Sequence, residues 1–241
     1  MTHLVALDPN QHRDLIVDTD AIEHHGAQLN LIPIVPSEFS SACCEYPIVV
    51  TKNEETGQFG FAVMLGFEQG QNLFWENQKW QGLYMPLQLQ RQPFFIGEAN
   101  PESPNSFPLC FDQSSPAIAD SHHSDNCQSI FDNDGVESEY FQQIKQCIAE
   151  LLRGEEQAKQ LLELLISRDM LQSMSLEVTF ADGQSKRLNG LYTVNRESLG
   201  TLDKATCFEL QNNGQLEAIY VMLASLNQIY RLIERRNTQL S

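Results

Sequence analysis

The apolar residues of this chain change their spacing near residue 137, and that change restricts the fold more than any other feature. Before it, apolar runs have strand length, favour β-branched and aromatic residues, and are separated by polar turns: 46–51, 59–67, 72–75, 80–85, 93–97 and 107–111. Consecutive short strands joined by short turns pair with their neighbours, which predicts an antiparallel meander. After it, Tyr140, Phe141, Ile144, Cys147, Ile148, Leu151 and Leu152 recur at helical spacing, with Asp134 or Ser138 placed to cap the start. Gly154 interrupts that stripe, and 158–166 reads as a second helix ending near Arg168. Next come a strand at 176–180, a turn signal at Asp182-Gly183 and a returning strand at 187–194. Asn195 and Asp203 are placed to cap short helices, and Gly214 to end one. Ile219, Leu223, Leu226, Tyr230 and Ile233 then fit one long C-terminal helix with Arg231, Arg235 and Arg236 towards its negative end.

The expectation is an α+β fold: an N-terminal antiparallel β-meander, then helices, a β-hairpin and a long C-terminal helix, packed as one unit over 1–241. Residues 1–113 are read as mainly β, 114–136 as a polar loop, and 137–241 as helices plus the hairpin. An isolated pair of strands is marginal in water, so the hairpin must extend the first sheet or pack on the helices. A chain of 241 residues can build a full hydrophobic core without covalent staples.

Charge narrows the partners. The chain carries 32 acidic and 15 basic side chains, a net of −17, and the excess is lopsided. Residues 1–136 hold 18 acids against Arg13, Lys52, Lys79 and Arg91, whereas 137–241 hold 14 against 11. Such a field repels phosphate backbones and anionic lipid, so nucleic acid and membrane insertion are not expected; solubility or a basic protein partner remains. The start of the chain has no basic, then apolar, leader pattern, and no run approaches the length of a spanning helix. A cytoplasmic location follows as the expectation.

No Gly-rich nucleotide loop, nucleophile elbow or His-Glu-x-x-His is present, so no catalytic residue and no cofactor is assigned. His122 and His123 lie with Asp120, Asp125 and Cys127 in one short segment, but adjacent residues on an extended chain point apart, and the segment reads as a solvated loop without metal. Cys43 and Cys44 are vicinal and able in principle to hold a soft metal or to oxidise; their place at the entrance to an apolar segment favours simple packing.

The most informative stretch runs from Gly70 to Phe95. It holds both tryptophans, further aromatics and one of the four cations of the acidic half. Tryptophan and tyrosine pair an apolar face with a hydrogen-bonding handle, and arginine forks onto carboxylates. Asn72, Trp75, Trp80, Tyr84 and Arg91 are therefore the candidate ligand- or partner-binding residues, against the alternative that the rings fill the core. Arg91 among Gln90, Gln92, Pro93 and Phe94 is expected to be partly buried and matched by an acid.

The same stretch carries a resemblance. Tyr46-Pro47-Ile48-Val49-Val50, Gly66-Phe67 followed by Gly70-Gln71-Asn72-Leu73-Phe74, Trp80 to Tyr84-Met85-Pro86, Asp182-Gly183 to Leu188-Asn189-Gly190-Leu191-Tyr192, and Leu216 to Leu226 together resemble the bacterial SapC family, from about Leu4 to Leu232. The family name implies an association with a bacterial surface layer. The resemblance also implies a setting beside TonB-dependent receptors and flavin-dependent halogenase-like proteins, and brings no catalytic residue with it. Three functions are expected from these readings. The first is a non-catalytic accessory protein acting through a protein partner. The second is a small-molecule-binding or enzymatic domain with a pocket around Trp75, Trp80, Tyr84 and Arg91. The third is a surface-layer-associated component.

Overall fold

The computed structural model describes residues 3–97, 107–119, 121 and 126–239. Its strands are β1 (Leu4–Ala6), β2 (Ile16–Asp18), β3 (Leu31–Pro33), β4 (Ile48–Lys52), β5 (Phe59–Met64), β6 (Trp75–Glu76), β7 (Lys79–Trp80), β8 (Phe94–Ile96), β9 (Leu109–Asp112), β10 (Ile118–Ala119), β11 (Cys127–Ser129), β12 (Leu171–Thr179) and β13 (Ser185–Val194). Its α-helices are α1 (Thr19–His25), α2 (Phe39–Ala42), α3 (Leu87–Gln90), α4 (Glu139–Ser167), α5 (Arg196–Gly200), α6 (Lys204–Asn212), α7 (Gln215–Ser225) and α8 (Gln228–Gln239). The fold is α+β, and every described strand pair is antiparallel.

The contacts divide the chain into two compact units. The first comprises Met1–Ala27, Asn77–Trp80 and Leu87–Leu152; the second comprises Gln28–Glu76, Gln81–Pro86 and Arg153–Ser241. The units therefore interleave along the sequence and do not follow its β-rich and helical halves.

In the first unit, two three-stranded sheets run β1-β9-β8 and β10-β2-β11. Their shared apolar cluster includes Val17, Phe94, Phe111, Phe131, Phe141 and Ile144. The polar N-terminal 30 residues supply β1 and β2, and the segment read from sequence as a polar loop, 114–136, supplies β10 and β11. These strands are two or three residues long, too short to display an alternating pattern, and long-range pairing creates them. Ser138 starts α4, its hydroxyl accepting the Phe141 N–H at 3.1 Å.

In the second unit, one five-stranded sheet has the order β12-β13-β4-β5-β3. The hairpin turns at Gly183, whose φ of 80° suits a residue without a Cβ. Leu191 and Tyr192 then pair with Thr51 and Val50, so the hairpin extends the first sheet. Asn195 caps α5 and Asp203 caps α6, as read from sequence. The N–H and hydroxyl of Thr206 lead the hydrogen bonds that hold the Asp203 carboxyl below its ordinary range.

Several expectations need correction. α4 is one helix of 29 residues, and Gly154 lies inside it. A Cβ there would sit 2.4 Å from Cγ2 of Val35, so this glycine marks a close approach and not a break. The single C-terminal helix is two, α7 and α8, parted at Leu226 and Asn227. The strands expected at 72–75 and 80–85 shrink to β6 and β7, and Asn77 and Gln78 between them take positive φ. β12 begins at Leu171, five residues earlier than its apolar pattern, because pairing with β13 continues through polar side chains.

Candidate functional site

Two glutamates and a tyrosine organise the part of the stretch singled out above that surrounds Tyr84. In the second unit, Pro36–Glu38 forms a 3-10 turn leading into α2. Glu38 is 2% exposed. One carboxylate oxygen accepts the Val35 N–H at 2.9 Å; the other accepts the Tyr84 hydroxyl at 2.8 Å. Just past α2, Oε2 of Glu45 accepts two successive backbone N–H groups, Leu83 at 2.6 Å and Tyr84 at 3.0 Å. The hydroxyl of buried Tyr46 donates to the Tyr84 carbonyl. The Tyr46 ring stands edge-on to Phe74 at 4.7 Å, and the Arg235 guanidinium lies 4.2 Å from the Phe74 ring centre.

The consequence is a loop, 81–86, fixed through its backbone. Both N–H groups of Leu83 and Tyr84, the Tyr84 carbonyl and the Tyr84 hydroxyl are all engaged. The side chain this frame displays is Leu83, which is 97% exposed. Carboxylate acceptors make the stronger class of hydrogen bond, so the frame holds its tip with little freedom.

The candidate residues fall as follows. Asn72, Trp75 and Tyr84 belong to the second unit, and Trp80 and Arg91 to the first. Asn72 is buried and its Oδ1 accepts the Phe74 N–H at 2.8 Å, a local turn bond. Trp75 opens β6 and is half-buried. The main-chain N–H of Trp80 donates to the Glu23 carboxylate at 2.9 Å, and the Trp80 ring lies beside Gly26, where a Cβ would meet it at 3.2 Å. Arg91 is half-buried, as expected; its Nε donates to Gln88 at 2.8 Å, its Nη1 to the Phe94 carbonyl at 2.7 Å, and the Phe95 ring centre lies 4.3 Å away. Among the described residues, an amide oxygen, a main-chain carbonyl and a ring meet the guanidinium.

The second unit also has a cavity of about 500 Å3, walled in part by Ser37, Ser40, Gln157, Gln160, Asn213 and Glu217. None of the five candidate residues lines it. His122, His123 and Asp125 lie outside the described residues; among the described residues no group of three or more histidine, cysteine or acidic side chains is placed to hold a metal. Among the described residues, no helix is long and apolar enough to cross a membrane.

The sequence model of the SapC family matches residues 7–232. The chain belongs to the SapC family. No curated protein and no solved structure matches it. The SapC match spans Glu38, Glu45, Tyr46 and Leu83, none of which was a candidate from sequence. Periodicity cannot connect residues 38 positions apart, such as Glu45 and Leu83. The available signal was local: Gly82 and Pro86 bracket the segment, and both are poor strand residues.

Proposed function

We propose that this SapC-family chain is a non-catalytic accessory protein that acts by docking a protein partner, with the 81–86 loop as the contact and Leu83 as its anchor. One observation carries the reading: a leucine 97% exposed on a loop whose backbone is pinned by two carboxylates and a buried tyrosine. Exposing a large apolar side chain contributes nothing to folding, and ordering its backbone costs entropy; binding recovers both when an apolar socket covers it. A pre-ordered loop also loses less freedom on association. The net charge of −17 selects the rim of that socket, which is basic. TonB-dependent receptors and flavin-dependent halogenase-like proteins are the first partners to test.

The test uses the purified full chain and a Leu83→Asp variant as baits in an extract of the source organism, followed by binding of the captured protein in purified form. The aspartate leaves the main-chain hydrogen bonds available and places a charge where the socket requires an apolar group. The expected result is one protein bound by the natural chain and weakened at least about 30-fold by Leu83→Asp, equivalent to about 2 kcal/mol, with unchanged melting. Equal binding by both baits overturns the reading, and so does a small molecule co-purifying in place of any protein.

A further inference from the structure

The vicinal thiols were read from sequence as packing residues, and the structure places them otherwise. Cys44 is exposed and Cys43 only half-buried, while Cys110, Cys127 and Cys147 are buried. The two sulfurs converge on one acceptor: Sγ of Cys43 lies 3.3 Å and Sγ of Cys44 3.6 Å from the Ser40 carbonyl. The peptide that joins them is clamped from the far end of the sequence, because Nε2 of Gln228 donates to both the Cys43 and the Cys44 carbonyls, each at 3.1 Å. The next residue is Glu45, whose carboxylate holds the N–H groups of Leu83 and Tyr84.

We propose that Cys43 and Cys44 are a redox modification site, a vicinal dithiol whose oxidation to a disulfide releases the 81–86 loop from Glu45. The regulatory part rests on the docking role of Leu83 argued above; the chemistry of the thiols does not.

The reaction is a two-electron oxidation by a hydroperoxide. The Cys44 sulfur, the more exposed, attacks one peroxide oxygen as the thiolate; the O–O bond breaks, the other oxygen leaves as water or alcohol, and Cys44 becomes a sulfenic acid. Burial first, and then the neighbouring Cys44, hold the Cys43 thiol above its ordinary pKa, which leaves the first attack to Cys44. There the Cys43 sulfur attacks the Cys44 sulfur, the S–S bond forms, and hydroxide leaves with the Cys43 proton as water. Two thiols are oxidised, and with hydrogen peroxide two waters are produced.

Geometry links this bond to the loop. Adjacent Cα atoms across a trans peptide are about 3.8 Å apart, whereas disulfides ordinarily span about 4.4 to 6.8 Å between Cα atoms. Covalent geometry fixes that separation, so a bond between adjacent cysteines closes a small strained ring containing the 43–44 peptide, and the strain is taken up by the backbone torsions of residues 43 and 44. That change of torsion displaces the two carbonyls held by Gln228 and shifts Glu45, the adjoining residue. The Leu83 and Tyr84 amides then lose their acceptor and the anchor loses its fixed position.

The test treats the full chain with hydrogen peroxide and reads two quantities. Trypsin releases residues 14–52, which contain no other cysteine, so the disulfide appears as a mass loss of about 2 Da in that peptide. Amide exchange by NMR reports the loop. The expected result is the mass loss, with exchange of the Leu83 and Tyr84 amides accelerated about 10-fold or more, β4 amides unchanged, full reversal by a thiol reductant, and no response in Cys44→Ser. Absence of the mass loss overturns the site. The mass loss without faster loop exchange, or with equal acceleration in β4, overturns the coupling. Neither readout uses a partner, so failure of the docking reading, seen with Leu83→Asp, is distinguishable from failure here.

Discussion

One oxygen of Glu45 accepts from two consecutive N–H groups, and this shows why the site was only partly legible at the residue level. Tyr84 was identified from its chemistry, an aromatic ring with a polar end, and it proves central to the frame. Leu83 beside it looked like one apolar residue of a strand, because nothing in its neighbours announces that Glu45 and Glu38 will engage the main chain and Tyr84. Tyr140 gives the converse case. It belongs to the apolar stripe of α4, yet its hydroxyl is buried and meets no hydrogen-bonding partner among the described residues. Burial, and to a smaller extent Cys147, raise its pKa well above the usual tyrosine range. An unmatched buried hydroxyl costs about 1 to 3 kcal/mol. Tyr140→Phe removes that group and keeps the ring, so the urea midpoint should stay the same or rise. A loss of unfolding free energy greater than about 1 kcal/mol would show that the hydroxyl has a partner worth keeping.

At the scale of elements, the strong local signals gave the right structures. The Asp182-Gly183 turn, the caps at Asn195 and Asp203 and the paired strands at β4 and β5 all form. Gly154 was misread because sequence shows a low helix propensity but not its cause. Glycine costs about 1 kcal/mol against alanine inside a helix, which reads as an interruption; here the missing Cβ makes room for Val35. Gly154→Ala therefore sets a propensity gain against an overlap with Cβ and Cγ2 of Val35, at 2.5 and 2.4 Å. Overpacking of this kind costs about 1 to 3 kcal/mol, so the overlap wins and the variant should be less stable in denaturant titration. Adding Val35→Ala should recover part of the loss in the Gly154→Ala background, although alone it removes buried apolar surface. An alanine at 154 that stabilises the chain would mean that α4 is not held against Val35.

At the scale of the molecule, the sequence suggested a β-rich front and a helical back, whereas the compact units interleave along the chain. The long polar segments concealed this, since strands of two or three residues carry no readable period. The proposal that the chain behaves as one folding unit now rests on α4. Its first half, Glu139 to Leu152, belongs to the first unit and places Phe141, Ile144 and Ile148 in that core. Its second half, from Arg153, belongs to the second unit and buries Leu161, Leu162 and Leu165. A helix forms cooperatively, because each added residue uses the turn already made and a fresh start is costly. Melting one half of α4 exposes carbonyl or N–H groups of the other and removes its nearest support. The chain also enters and leaves the first unit at 77–80 and 87–152, so the second unit cannot unfold while the ends of those segments stay fixed at no cost. Unfolding should accordingly be a single transition, with a calorimetric enthalpy equal to the van't Hoff enthalpy and coincident changes in helix and tyrosine signals. Limited proteolysis between 112 and 136 should likewise fail to yield two stable halves, since β9, β10, β11 and the first half of α4 all belong to the first unit. Two resolved transitions, or two fragments that each remain folded after separation, would show that continuity of one helix is not enough to couple the units.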